Sequence, residues 1–380
     1  MGNRIFITGS TGNIGGLAAT RILRDDPDSQ ILLLIRARSE TKAMDRAAAA
    51  FGILSPELDF TQVKGRIRVF CGDITKDRLG LDESTYKRLS EDLTHIVHCA
   101  AATKFNMDLD KARTINRQGT LNVMALAKMA KGSGNLKRIA HVSTAYVCGN
   151  QEGTIYENRL ISDPGFSNAY QQSKWETEQA VRRMTDELPL IILRPSIVTG
   201  GSITGRTLAF NALYTPLKWI CRGSIRLIPG CAKAPLDVVP LDFVADAIRH
   251  ILLTNEDPSG TTFHLAAGRK HSTTVGEVVN SGIDYFERKS PSHNMKKVRF
   301  IPPQLADVVM RLMPLKQRQS LEKMRFFDPY ICIAREFDTT NTEKALKGSG
   351  ISPPAFASYF ENIMDFCTAT HWGESLKCTA

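Results

Sequence analysis

Thr8-Gly9-Ser10-Thr11-Gly12-Asn13-Ile14-Gly15-Gly16 follows directly on the apolar run Arg4-Ile5-Phe6-Ile7. A short strand therefore leads into a glycine-rich turn and then into a helix that begins near Asn13. Gly9 permits a turn that a Cβ would obstruct. Gly12 lets the main chain approach phosphate oxygens, and Gly15 lets the helix pack closely on the strand. A helix N-terminus there offers free N–H groups and a partial positive charge to an anion. Strand, turn and helix together predict the cradle of a dinucleotide pyrophosphate. The glycine spacing alone does not decide this, because a glycine-rich hairpin has a similar pattern.

The next strand favours the cradle. The pattern is helical from Ala18 to Leu23 and is broken by Arg24-Asp25-Asp26-Pro27-Asp28. Ile31-Leu32-Leu33-Leu34-Ile35 then has the continuous apolar character of a buried parallel strand. It ends at Arg36-Ala37-Arg38, about 20 residues past the last glycine, where an acidic side chain would hold the ribose of NAD or an arginine the extra phosphate of NADP. Two arginines stand there and no acid. A guanidinium pairs a phosphate in a bidentate, charge-assisted way. NADPH is therefore the expected cofactor, with Arg36 the main contact and Arg38 a helper. The competing reading is a solvated pair of surface arginines.

Outward from this point, strands and helices alternate through the first 200 residues. Arg66 to Cys71, Thr94 to Ala101, Lys137 to Thr144 and Leu190 to Pro195 read as strands. Ser84 to Leu93, Asp110 to Met129 and Tyr170 to Leu188 read as helices. The rhythm predicts an α/β fold: a doubly wound parallel sheet (Rossmann) with helices on both faces. Beyond Gly200 the texture changes. Residues 201–236 mix aromatic, apolar and basic residues, and 271–370 look mainly helical, with breaks at Ile301-Pro302-Pro303 and Ser352-Pro353-Pro354. The expected division is an NADP-binding domain over 1–200, rejoined by 237–270, and a smaller, mainly helical substrate-side portion over 201–236 and 271–380.

Composition sets limits. The chain has 380 residues, 42% of them hydrophobic and 23% charged, which is ordinary for a globular protein. Its net charge of +10 could serve nucleic acid, an anionic membrane surface or anionic small molecules. It carries no long basic run, zinc-finger pattern or RNA-binding signature, so nucleic acid is not expected as a partner. A phosphorylated cofactor and substrate account for the charge more simply. The eight cysteines are scattered, with no C-x-x-C pair, as free thiols in a reducing compartment would be. No apolar signal region precedes the first strand, and no apolar run approaches the roughly 20 residues that span a bilayer. A cytoplasmic location is expected. The eight histidines show no metal-ligand spacing, so no metal is expected.

The chemistry centres on Tyr170-Gln171-Gln172-Ser173-Lys174. A spacing of four puts both side chains on one helical face. A phenol has a pKa near 10 and is a poor proton donor or acceptor at neutral pH. A nearby ammonium would stabilise the phenolate and bring it into a useful range. Upstream, Val142-Ser143-Thr144-Ala145 places hydroxyls at a strand end, where one can hydrogen-bond a reacting carbonyl oxygen. Strand alternation turns the two to opposite faces. Thr144 is the choice, being nearer the strand end, and Ser143 reads as a packed hydroxyl bonded to main chain.

These features in their order resemble the extended short-chain dehydrogenase/reductases: Thr8 to Gly15, Gly72-Asp73-Ile74, His98-Cys99-Ala100-Ala101, Asn116, Ser143-Thr144, Tyr170-x-x-x-Lys174 and Arg194-Pro195-Ser196-Ile197-Val198. The resemblance covers about residues 4–270. Within that superfamily the chain looks most like the thioester-reductase branch, which holds fatty acyl-CoA reductases and the reductase domains of carboxylic acid reductases. The cues are Leu34 to Arg38, His141 to Val147 and Arg194 to Gly200. The resemblance implies that Gly9, Thr11, Gly12, Asn13, Ile14 and Gly15 line the pyrophosphate. It implies that Asp73 and Ile74 contact adenine, that Ala100, Ala101, Ala102 and Asn116 lie along the cofactor, and that Pro195, Ser196 and Ile197 face the nicotinamide. Thr144, Tyr170 and Lys174 would be catalytic, with Lys174 also reaching the cofactor ribose. The chain departs from the branch at Cys99 and Cys148, neither a catalytic position.

The expected activity is NADPH-dependent reduction of an acyl thioester, on CoA or a carrier protein, to an aldehyde and onward to an alcohol if a second hydride is delivered. Leu208, Phe210, Leu213, Tyr214, Leu217, Trp219 and Ile220, interleaved with Lys218, Arg222 and Arg226, suggest the wall of an apolar channel with cations for phosphates. The same stretch could be an ordinary amphipathic helix over the core, or a peripheral membrane contact. The alternative activities are a sugar-nucleotide epimerase/dehydratase or a hydroxysteroid-type dehydrogenase, which would use the same tyrosine, lysine and threonine. A non-catalytic NADPH sensor is a further rival, and the intact residue set argues against it.

Overall fold

The computed structural model describes residues 2–210, 213–289, 298–305 and 327–378, with residues 308, 318 and 322 between them. β1 (Arg4–Thr8), β2 (Gln30–Ile35), β3 (Ile67–Cys71), β4 (His95–His98), β5 (Arg138–Val142), β6 (Leu190–Pro195) and β7 (Thr262–Leu265) form one sheet in the order β7-β6-β5-β4-β1-β2-β3. Every neighbouring pair is parallel. The order runs outward in both directions from the gap between β1 and β4, the switch point at which such sheets bind ligands.

The strands are apolar on both faces because helices cover both. Ile5, Phe6 and Ile7 of β1 are wholly buried, each worth about 1.5–3 kcal/mol of transfer free energy. On one face lie α1 (Asn13–Asp25), α2 (Glu40–Leu54) and a later helix, Leu241–Leu253, through Leu17, Ile22, Phe51, Val244 and Ile248. On the other lie α3 (Gly119–Gly132) and α4 (Ala169–Arg182), through Val123, Met124 and Val181. A further apolar cluster gathers residues from 145–155, 197–238, 266–285 and 330–367 beyond the ends of the strands. Its helices include Tyr214–Cys221, Val275–Lys289 and Phe356–Ala369.

Several boundaries differ from the sequence reading. The strand expected through Thr144 stops at Val142, because Thr144 turns its hydroxyl to accept from Tyr146 N at 3.2 Å and starts a short 3-10 turn. The helix expected to reach Leu188 ends at Arg182. The segment around Phe263 joins the main sheet beside β6, but Val238–Pro240 pairs instead with Ile197–Thr199 in a separate two-stranded ladder. The C-terminal part is not helical throughout, since Arg299–Ile301 and Arg335–Phe337 are strands. Residues 290–297 and most of 306–326 lie outside the described residues. No helix among the described residues is long and apolar enough to cross a membrane.

Candidate active site

The glycine turn has the form its sequence demands. Gly9 has a φ of +74°, and a Cβ there would sit 2.7 Å from Ala100 N. A Cβ on Gly15 would sit 2.6 Å from the Gly9 carbonyl oxygen. Gly12 is the exposed N-cap of α1, no side chain caps that end, and no acidic residue stands in its first turn. Ser10 Oγ is buried beneath with no partner. An uncapped N-terminus of a 13-residue helix over a backbone-only cradle suits an anionic pyrophosphate. Thr11 and Ile14 border this turn and are half-buried. Asn13 is committed elsewhere: its Nδ2 donates to Thr207 Oγ1 at 2.9 Å and its Oδ1 accepts from Leu208 N at 2.7 Å.

Arg36 and Arg38 stand exposed just past the end of β2. Arg46, nearly two turns into α2, donates to the Arg36 carbonyl, so a third guanidinium flanks the strand tip. The sequence reading missed it, because nothing marks Arg46 until α2 folds back. Asp73 uses its Oδ1 to accept from Thr75 N and Thr75 Oγ1, both at 2.9 Å. Ile74 is buried against Gly119, where a Cβ would lie 2.7 Å from Ile74 Cδ1. At the tip of β4, Thr8 Oγ1 meets His98 Nδ1 at 2.7 Å and accepts from Ala100 N at 3.2 Å. Ala100, Ala101 and Ala102 continue from there, half-buried.

Asn116 is buried in a single π-helical turn, Thr114–Gln118, that leads into α3. Its Oδ1 accepts from Ala102 N at 2.7 Å, and its Nδ2 donates to Ser173 Oγ at 2.9 Å and Ala102 O at 3.2 Å. It therefore pins the loop after β4 to α4. Such π turns recur at functional sites because they rotate one side chain out of the α-helical pattern.

Asn168 caps α4 by accepting from Gln171 N at 3.0 Å. That cap fixes where the helix starts, and so places Tyr170 in its first turn and Lys174 one turn on. Thr144 lies beside the Tyr170 phenol. Burial pushes that phenol up from its ordinary value, and the Thr144 hydroxyl pulls it partly back. Lys174 is buried, and its Nζ donates to Val142 O at 2.9 Å. Burial pushes its own pKa down to about 8, against the attraction of Glu178. The phenol is thus raised rather than lowered, unlike what the four-residue spacing suggested, and the lysine ammonium donates to a strand carbonyl. His98 and His141 are buried on the neighbouring strands β4 and β5, and burial keeps both well below the ordinary histidine value.

Ser143 Oγ donates to Glu178 Oε2 at 2.7 Å, so the packed hydroxyl binds a carboxylate rather than main chain. Glu178 also takes Arg194 Nη2 at 2.5 Å and Arg182 Nε at 3.0 Å. The sequence reading missed this pair, although Glu178 repeats the four-residue step from Lys174 on the same helix face. Pro195 ends β6, and its carbonyl lies 3.5 Å from Thr144 Oγ1. Ser196 and Ile197 are buried next to it.

Ile197 opens onto an apolar cleft lined by Phe105, Leu213, Leu217, Ile220, Ile228 and Tyr330, among others. Phe105 stacks on Tyr330 at 5.2 Å, and its ring centre lies 6.0 Å from that of Tyr170. The expected wall is met in part. Leu213, Leu217 and Ile220 line the cleft. Tyr214 and Phe210 pack against one another, Trp219 packs on Phe327, and Leu208 lies against the sheet-side core.

A family model described as Male sterility protein (NAD_binding_4) matches residues 7–248. The chain belongs to this family. Its cofactor class is accordingly a nicotinamide dinucleotide, in agreement with the glycine cradle. Within the family's reach, Fatty acyl-CoA reductase 1 of Arabidopsis thaliana is 25% identical over 354 residues, covering 76% of this chain and 72% of that protein. Aldehyde reductase lnaA of Aspergillus flavus is 25% identical over 375 residues, covering 90% of this chain. The chain spans only 34% of that relative's length. Among solved structures, the terminal R domain from the myxalamid PKS-NRPS biosynthetic pathway matches with a TM-score of 0.81 at 26% identity, covering 97% of this chain and 91% of that one.

Proposed function

We propose that this male sterility family member reduces an acyl thioester to an aldehyde, with NADPH as reductant. The observation that carries the reading is the apolar cleft beside Tyr170, joined to it through Phe105. A sugar nucleotide has no use for a cleft with such a lining, whereas an acyl chain gains about 0.8 kcal/mol for each CH₂ it buries. Bound reduced nicotinamide would supply the hydride. Gly9, Thr11, Gly12, Asn13 (through its main chain), Ile14 and Gly15 would hold the pyrophosphate, and the exposed Arg36 and Arg38 would take the 2′-phosphate. Thr144 and Tyr170 would hydrogen-bond the carbonyl oxygen as it gains negative charge, and Tyr170 would give it the proton. Lys174 would hold the ribose. Collapse of the hemithioacetal would release thiol and aldehyde.

The substrate-side portion would comprise 201–236 and 271–380, with the thioester arriving on CoA or on a carrier protein. The R domain likeness supports the carrier-protein route. Seven free cysteines among the described residues support the expected cytoplasmic setting. The test is incubation with NADPH and a long-chain acyl-CoA, following the absorbance of the reduced nicotinamide. Turnover of a secondary alcohol with none of any thioester would reject the reading.

A further inference from the structure

A chain of side-chain contacts leads from the cofactor turn to the helix that lines the apolar cleft, with hydrogen bonds at its Asn13 and Tyr214 ends. Asn13 is the first residue of α1, at the helix end suited to the pyrophosphate. Its side chain crosses to a segment almost 200 positions away in sequence, donating to Thr207 Oγ1 at 2.9 Å and accepting from Leu208 N at 2.7 Å. Thr207 is wholly buried, and its hydroxyl also lies beside the Tyr214 phenol. Tyr214 is 2% exposed and accepts from Gly200 N at 2.6 Å. It is the first residue of the helix Tyr214–Cys221, whose Leu217 and Ile220 line the cleft. Gly200 follows the short strand Ile197–Thr199, whose Ile197 lines the same cleft.

We infer that Asn13, Thr207 and Tyr214 form a clasp that couples occupation of the dinucleotide turn to the affinity of the cleft. The inference rests on the thioester reading only for what fills the cleft. Ordering the α1 N-terminus around an anion fixes the main chain of Asn13. Its amide then holds Thr207 and Leu208, and Thr207 orients the phenol that begins the cleft helix. A cofactor that favours the ordered clasp must, by linkage, favour whatever binds the ordered cleft, and the reverse holds equally. The three side chains are positioning residues, since none lines the cleft itself.

The test reads binding rather than turnover. Dissociation constants of 8-anilinonaphthalene-1-sulfonate, an apolar-site dye, and of dodecyl-CoA thioether are measured on the full chain with and without saturating NADP⁺. NADP⁺ should tighten both about tenfold in the wild type and in Thr207→Ser, which keeps the hydroxyl. In Thr207→Val and Tyr214→Phe the tightening should shrink below about twofold, while NADP⁺ itself binds within about threefold of wild type. A merely structural role would lower the melting temperature and leave the ratio intact. Absence of coupling in the wild type, or its survival in both folded variants, would overturn the inference. Coupling seen with the dye while the thioether fails to bind would keep the clasp and discard the thioester reading.

Discussion

Replacing Glu178 by glutamine should cost the fold about 3 kcal/mol at neutral pH. Glu178 and Arg194 are both fully buried. Burial pushes the carboxyl upward, but the Arg194 guanidinium, helped by Arg182 and the Ser143 hydroxyl, outweighs it and holds the pKa at about 2, against an ordinary 4.5. A carboxyl held at about 2 instead of 4.5 is stabilised in its charged form by a few kcal/mol. The cost of leaving a buried cation unpaired, about 3–5 kcal/mol, gives the same order. The pKa is lowered on folding, so the stabilisation is complete above about pH 4.5 and fades as the pH falls toward 2. Urea unfolding of wild type and Glu178→Gln at pH 7 and pH 3 reads both claims. The gap should be about 3 kcal/mol at pH 7 and about half that at pH 3. In a chain of 380 residues the neutral-pH gap corresponds to a melting temperature about 4 °C lower. A gap below about 1 kcal/mol at pH 7, or one indifferent to pH, would refute the argument.

The other predictions concern the site itself. Tyr170→Phe should lower kcat by about 10²–10⁴-fold while NADP⁺ affinity, measured by calorimetry, stays within about threefold; retained turnover would remove the tyrosine from the proposed mechanism. Arg36→Ala should weaken NADPH by about 1.5–3 kcal/mol and leave NADH nearly unchanged, and equal losses for both cofactors would show that the arginine does not read the phosphate. Lys174→Met should abolish activity yet stabilise the fold. The lysine's pKa falls on folding from 10.5 to about 8, so the buried charge destabilises below pH 8 and relief comes as the pH rises through that value toward 10.5. Wild-type stability should therefore climb across pH 8–10 relative to the methionine variant, and parallel pH profiles would contradict the burial argument.

How much of this was legible beforehand follows from what each feature depends on. The glycine turn depends on local backbone freedom, so residues 8–16 announce it. The parallel sheet depends on runs apolar on both faces, such as Ile31 to Ile35, and these too stand in the sequence. Arg36 and Arg38 were visible because strand β2 ends where its apolar run ends. Arg46, Glu178 and the Asn13–Thr207–Tyr214 chain were not, because each depends on a meeting of distant segments that no periodicity encodes. The split of 237–270 between a separate ladder and the main sheet was hidden for the same reason: strand pairing is chosen by packing, not by the strand's own residues.

The lysine shows the limit most sharply. A four-residue step establishes that Tyr170 and Lys174 share a helix face, and no more than that. Where the ammonium goes depends on the register of β5, which offers the Val142 carbonyl at 2.9 Å. An amine held there, and itself weakened by burial, is a poor source of potential for a phenol one helical turn away. Thr144 is the neighbour that eases the phenol, and it can do so only because β5 stops two residues early and turns it toward the helix that Asn168 caps. Under the proposed mechanism, then, proton donation is tuned by a strand end and a helix cap rather than by the Tyr-x-x-x-Lys spacing, and Thr144→Val should raise the apparent pKa of the alkaline limb in the pH–rate profile more than Lys174→Arg does.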